Sequence, residues 1–256
     1  MLRASLHTSL GRAVFISGRG VVHADGARSL PMLMAEARYA LAVRVRPADG
    51  ARVGGDVHDA VMTSAGPRFL IGDVRGHGPG AAPLAAVVRA AFRDTAATEE
   101  DPVRLARALD ARVRPHLGQE DFVTLLLADV HPHEVRLVNC GHPPPLRIDE
   151  CLVPLSPPHP CPPLGLDPEP QVQRARVLPH QRLLLHTDGL TDARAADGPF
   201  FPFDEHALAA LLAPTLDQAL DRLLGLLHRH TGGTVPADDL TLMLLQPAPA
   251  AHLPPP

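Results

Sequence analysis

The chain has 256 residues, 45% of them hydrophobic, enough for a sizeable core in one large domain or two small ones. Its formal net charge of −4 is scattered, with no basic stripe for nucleic acid, and no apolar run approaches membrane-spanning length. Three cysteines, Cys140, Cys151 and Cys161, form no CxxC pair, so a reduced, cytoplasmic setting is expected rather than a disulfide framework.

Residues 1–34 show no clear period and read as a lead-in, expected to be partly disordered. Their apolar stretch is broken by polar residues and glycine, which argues against a signal peptide. In "ARYALAVRVRPADG" (37–50), Leu41, Val43 and Val45 alternate, predicting a strand that ends in a turn. "RFLIGDV" (68–74) is a second strand. Residues 80–97 have a helical period, with Pro83 tolerated in the first turn. A further amphipathic helix spans 101–113, with Asp101 as N-cap and Pro102 at the first helical position.

"FVTLLLADV" (122–130) and "EVRLVNC" (134–140) are strands at hairpin distance. Prolines crowd residues 141–170, which therefore hold short strands and loops. "QRLLLHTDGLTDA" (181–193) predicts a strand running into an Asp-Gly turn. Residues 204–213 and 216–230 read as helices, the second with Leu220, Leu223, Leu224 and Leu227 on one face. "DLTLMLLQ" (239–246) is a closing strand, and 248–256 form a Pro/Ala-rich tail expected to be disordered. This order lacks regular βαβ alternation, so residues 35–247 are expected to form a layered α+β domain with antiparallel sheets.

Four places set aspartates at the end or start of an apolar strand, beside glycine or another acid: "VGGDVHD" (Asp56, Asp59), "IGDVRGHG" (Asp73), "LHTDGLTD" (Asp188, Asp192) and "ADDLTLMLL" (Asp238, Asp239). One such aspartate usually marks a turn. Four imply strand ends that converge on one edge. Two carboxylates about 4 Å apart repel by about 4 kcal/mol at an effective dielectric of about 20, so protons or cations must neutralise them. Oxygen ligands with no histidine or cysteine in the repeated pattern suit Mg²⁺ or Mn²⁺ better than zinc.

The segments "VGGDVHDA", "FLIGDVRGHGPGAA", "FVTLLLADV", "VNCGHPPPL", "PLGL", "LLLHTDGLTDAR" and "DDLTLMLL" occur in the order found in PPM/PP2C metal-dependent protein phosphatases. The chain resembles that family over residues 37–246, and within it the bacterial SpoIIE/RsbU-type branch. The resemblance implies an α-β-β-α sandwich: two antiparallel sheets face to face, flanked by helix pairs, with two Mn²⁺ or Mg²⁺ ions at one edge. It implies Asp56 as a ligand to one ion, Asp73 as the bridging ligand and the Val74 carbonyl as another. Asp188 and the Asp238–Asp239 pair complete the set, with the first acid of the pair aligned to the ligand position. The glycines around Asp73 are expected to let a backbone carbonyl face the metal.

The implied activity is hydrolysis of phosphoserine or phosphothreonine in a protein by water activated between two metals. Anti-anti-sigma factors are the family's frequent substrates. Regulation would come from a partner, from homodimer formation or from expression. A catalytically dead binding module and a hydrolase of small phosphoesters are the rival readings. Val57-His58-Asp59 departs from the family's aromatic pair, and His186 replaces its tyrosine before Thr187. His77 is read as a turn residue, with proton donation as the alternative. His142 is read as a structural loop histidine and Cys140 as a core thiol. Arg52 and Arg75 are read as surface arginines, with phosphate contact as the alternative.

Overall fold

The computed structural model describes residues 12–15, 39–48, 54–75, 80–131, 133–195, 198–233 and 238–247. Strands β1 (Arg12–Phe15), β2 (Tyr39–Arg46), β3 (Asp56–Thr63) and β4 (Gly66–Val74) lead into helices α1 (Ala82–Thr95) and α2 (Pro102–Val113). Next come β5 (Val123–His131), β6 (Glu134–Cys140), β7 (Leu146–Ile148), β8 (Leu152–Pro154), β9 (Val172–Arg176) and β10 (Arg182–His186). Helices α3 (Asp188–Thr191), α4 (Glu205–Leu211) and α5 (Leu216–His230) precede the last strand, β11 (Leu240–Pro247). One antiparallel sheet has the order β1-β2-β11-β10-β7-β8 and the other β3-β4-β5-β6-β9.

The period of two along each strand divides the apolar residues among three cores. On β4, Leu70 and Val74 pack toward α1 and α2, whereas Phe69 and Ile71 face the other sheet. On β11, Leu240, Leu242 and Leu244 pack under α4 and α5, while Met243 and Leu245 face the core between the sheets, with Phe69 and Ile71. The result is the expected α-β-β-α sandwich of two antiparallel sheets flanked by helix pairs. Central strands buried on both faces explain the continuous apolar runs such as "TLLLADV".

Charged residues fasten the layers. Arg68, 2% exposed, pairs with Asp129 and also donates to the carbonyls of Ala96, Glu99 and Glu100 beyond α1. A buried guanidinium survives only when its donors are filled in this way. Arg44 on β2 reaches Asp217 and Asp221 of α5, each at 2.9 Å.

Two details depart from the sequence reading. β1 lies within the segment read as lead-in and pairs antiparallel with β2; four residues are too few to carry a period. Val45 is 40% exposed although Leu41 and Val43 on the same face are buried: it lies opposite Thr241, where the apolar filling between the sheets ends. The N-cap is as expected: Asp101 accepts the Val103 N–H at 2.8 Å. Replacing this acceptor in Asp101→Ala should lower stability by about 1 kcal/mol in chemical denaturation, since one helix donor loses its partner.

Candidate metal centre

Strand parity carries the acids to one edge of the gap between the sheets. Asp73 shares the face of Phe69 and Ile71 on β4, and Thr124 shares that of Leu126 and Ala128 on β5. Asp56 opens β3 on the matching face. In register, Asp73 sits between Asp56 and Thr124 on its two neighbouring strands. From the opposite sheet, Thr187 and Asp188 follow the end of β10, and Asp238 and Asp239 precede β11. Apolar side chains fill the gap up to this edge, where the ladder changes to acids and hydroxyls.

Gly72 has a steric role here. A Cβ at this position would lie 2.4 Å from the Thr124 carbonyl oxygen, so β5 approaches too closely for any side chain. This crowding between strands, rather than exposure of a carbonyl, accounts for that glycine. Gly76, His77, Gly78 and Arg52 lie outside the described residues.

Like charges directly opposite on neighbouring strands are unfavourable, and the Asp56–Asp73 pair is also withdrawn from water. Burial pushes the Asp56 carboxyl up to about 7, and the charges of Asp239 and Asp188 add to the shift. Burial likewise raises Asp73 to about 9, followed by repulsion from Asp56, Asp188, Asp238 and Asp239. Asp188 moves up through burial and then through Asp238 and Asp192. The Thr187 hydroxyl donates to Asp56 Oδ2 at 3.0 Å, but Asp56 Oδ1 and Asp188 Oδ1 are buried without a partner.

The members of the Asp-Asp pair differ. Asp239, 2% exposed, accepts the N–H of Ala48 at 2.7 Å and that of Gly55 at 2.5 Å. Asp238 is partly exposed, and its Oδ1 accepts the N–H of Asp239 at 2.8 Å. Val74 ends β4, its N–H donating to the Gly55 carbonyl at 3.2 Å. Asp59 points the other way along β3 and pairs with Arg93 of α1 at 2.6 Å. Asp192 is exposed at the far end of α3. Arg75 pairs with Glu120 at 3.2 Å and lies over the Phe122 ring.

Sequence reasoning missed Thr187 and Thr124, which touch Asp56 and the backbone of Asp73. Their only signal was the strand parity that also places the acids, and it becomes readable once the sheets are known.

Among the described residues, no three acidic, histidine or cysteine side chains are already gathered into one metal-sized group. The donor chemistry nonetheless fits hard divalent cations. The set is oxygen-only, two buried carboxylate oxygens are unpartnered, and burial followed by the neighbouring acids pushes two carboxyls up to about 7 and about 9. A pH consequence follows for chelated protein. Both carboxyls bind protons more tightly folded than unfolded, so they favour the native state below about pH 4. That contribution is lost as pH rises through about 7 and then about 9. The melting temperature in chelator should therefore fall between pH 6 and 9, and added Mn²⁺ should restore it most at the alkaline end; a flat profile would contradict these shifts.

Comparison with known proteins bears on this arrangement. The sequence model for stage II sporulation protein E (SpoIIE) matches residues 64–247. The RsbU and RsbW domains of Rv1364c from Mycobacterium tuberculosis are 25% identical, with a TM-score of 0.67. That match covers 82% of this chain and 60% of the other, so the chain spans less than two thirds of that protein's length. The SiaA-PP2C domain of Pseudomonas aeruginosa is similar at 19% identity and TM-score 0.68, over 80% of this chain and 85% of that one. The catalytic domain of the serine/threonine protein phosphatase PstP, solved in complex with two manganese ions, shares the fold. Its identity is 21% and its TM-score 0.59, over 82% of this chain and 99% of that one. No curated protein sequence matches the chain.

Proposed function

Because the chain belongs to the SpoIIE family of PP2C-type phosphatases, we propose that it is a metal-dependent serine/threonine protein phosphatase. The observation that carries this reading is the edge between the sheets, where buried Asp56 and half-buried Asp73 and Asp188 stand beside Asp238, with Asp56 Oδ1 and Asp188 Oδ1 unpartnered and the carboxyls of Asp56, Asp73 and Asp188 all shifted upward. Asp56, Asp73, Asp188 and Asp238 would hold two Mn²⁺ or Mg²⁺ ions, with the Val74 carbonyl as a backbone ligand. Asp239 joins them either directly or by fixing the residue before Asp56. When bound, such ions supply activation of water and neutralisation of charge on the phosphoryl group.

The chain's own part is to position and to exclude. Thr187 holds one oxygen of Asp56, which leaves the other, Oδ1, buried and unpartnered. Thr124 accepts the N–H of Asp73 at 3.2 Å and fixes where that carboxyl leaves β4. Behind the acids the gap is filled by fully buried apolar side chains such as Phe69, Ile71 and Leu126. Carboxylates set on strand ends move little between states, so the transition state meets an electrostatic environment that is already arranged.

The substrate we infer is a regulatory phosphoprotein of the anti-anti-sigma type, encountered in the cytoplasm, and a homodimer is one route to regulation. No helix among the described residues is long and apolar enough to cross a membrane. The test is phosphate release from a phosphoserine-bearing anti-anti-sigma protein and from an aryl phosphate. Turnover should require Mn²⁺ or Mg²⁺, drop to background in chelator and return on adding Mn²⁺. Turnover that resists chelation would point to a covalent mechanism and end the two-metal reading.

A further inference from the structure

The loop after β6 contains a buried histidine that joins the two sheets. Gly141, with φ +71, turns the chain so tightly that a Cβ there would lie 2.6 Å from Pro163. Asn139 clamps the turn from both sides: its Oδ1 accepts the His142 N–H and its Nδ2 donates to the His142 carbonyl, each at 2.8 Å. The imidazole thus lands between the layers, 5% exposed, with both ring nitrogens engaged. Nδ1 lies 2.9 Å from the Thr124 hydroxyl and Nε2 lies 3.1 Å from the His186 carbonyl oxygen.

A carbonyl can only accept, so Nε2 carries the hydrogen. Burial, with His186 beside it, takes the ring down to about 3, and the ring is therefore neutral. Nδ1 then accepts from the Thr124 hydroxyl, whose oxygen in turn accepts the Asp73 N–H at 3.2 Å. On the other side, the His186 carbonyl lies two residues before Asp188. A continuous chain of hydrogen bonds runs from the backbone of Asp73 in one sheet to the backbone that presents Asp188 in the other.

We propose that His142 is a positioning residue of the acidic edge, a strut between the sheets that sets the span between Asp73 and Asp188. The inference rests on the metal-dependent reading given above. Two ligands on separate sheets keep a fixed spacing only if the sheets cannot slide or part. Apolar packing between sheets is non-directional and tolerates small shifts, whereas a ring bonded at both ends does not. Residues that orient ligands in this way commonly affect metal affinity or activity by about 10–100-fold.

The experiment is calorimetry with Mn²⁺ on wild type, Thr124→Val, His142→Gln and His142→Ala, with thermal melts in chelator alongside. Thr124→Val keeps the side-chain shape and reports even if His142→Ala fails to fold. Thr124→Val and His142→Ala should weaken Mn²⁺ binding by about 10–100-fold at temperatures where the protein is folded. His142→Gln, which retains an N–H for the His186 carbonyl, should lose less. A purely structural residue would lower the melting temperature and leave the Mn²⁺ affinity of the folded protein unchanged, and that outcome overturns the proposal. If wild type binds Mn²⁺ but hydrolyses no phosphoester while the variants bind it more weakly, the phosphatase reading falls and the strut stands. If wild type takes up no Mn²⁺, both fall.

Discussion

Asp73→Asn is expected to reduce phosphatase activity by more than about 100-fold, beyond what loss of a merely supporting group would cause. The side chain stands between Asp56 and Thr124 in register, in the middle of the acidic edge. Burial and then four other carboxylates raise its proton affinity, which supports the proposal that it serves a shared cation. The amide keeps the shape and removes the charge. Mn²⁺ calorimetry should show binding weakened together with turnover.

The same variant should be more stable than wild type in chelator at pH 8. There the folded protein keeps the Asp73 proton, with its pKa near 9, while the unfolded chain would release it. Asparagine removes that penalty. At pH 5 the gain should shrink, because the unfolded carboxylate is then closer to its own pKa. Stability gained where function is lost is what an acid retained for its charge predicts. Asp59→Asn serves as the contrast. It loses its charge pairing with Arg93 of α1 rather than any place at the edge, so stability should fall and most activity remain. Equal losses of activity in the two variants would contradict the assignment of Asp73.

How much of this was legible in the sequence depends on the range of the interaction. The start of α2 was readable because Asp101 and Pro102 act on their own turn. The strand-end aspartates were readable because apolar runs and Asp-Gly steps are local patterns. The face presented by β11 was not, since Leu240, Leu242 and Leu244 meet the helices while Met243 and Leu245 meet the other sheet. A strand buried on both faces has no hydrophobic alternation to reveal its register. Thr187 and Thr124, and the contacts of His142, escaped for a different reason. Thr187 contacts Asp56 across 131 residues and His142 contacts His186 across 44, so no local window contains either pair.

The Asp238–Asp239 pair can be separated by which property each substitution damages. Residue 239 has the parity of Thr241, Met243 and Leu245, so Asp239 faces the gap between the sheets, where both its oxygens are taken by backbone donors. Those donors come from Ala48, just past β2, and from Gly55, the residue before Asp56. Asp239→Ala therefore leaves two buried N–H groups unpaired, at a cost of about 1–3 kcal/mol each, and frees the chain that presents Asp56. Its main signature should be a lowered melting temperature in chelator, with activity partly recovered in excess Mn²⁺. Asp238 is partly exposed and accepts only from its neighbour, yet it is the first charge acting on Asp188 after burial. Asp238→Ala should leave the melt in chelator nearly unchanged and weaken both Mn²⁺ binding and turnover by more than about 100-fold. If Asp239→Ala instead keeps its stability and loses Mn²⁺ beyond rescue, the ligand is Asp239, and its two backbone bonds serve to orient a carboxylate that binds the cation itself.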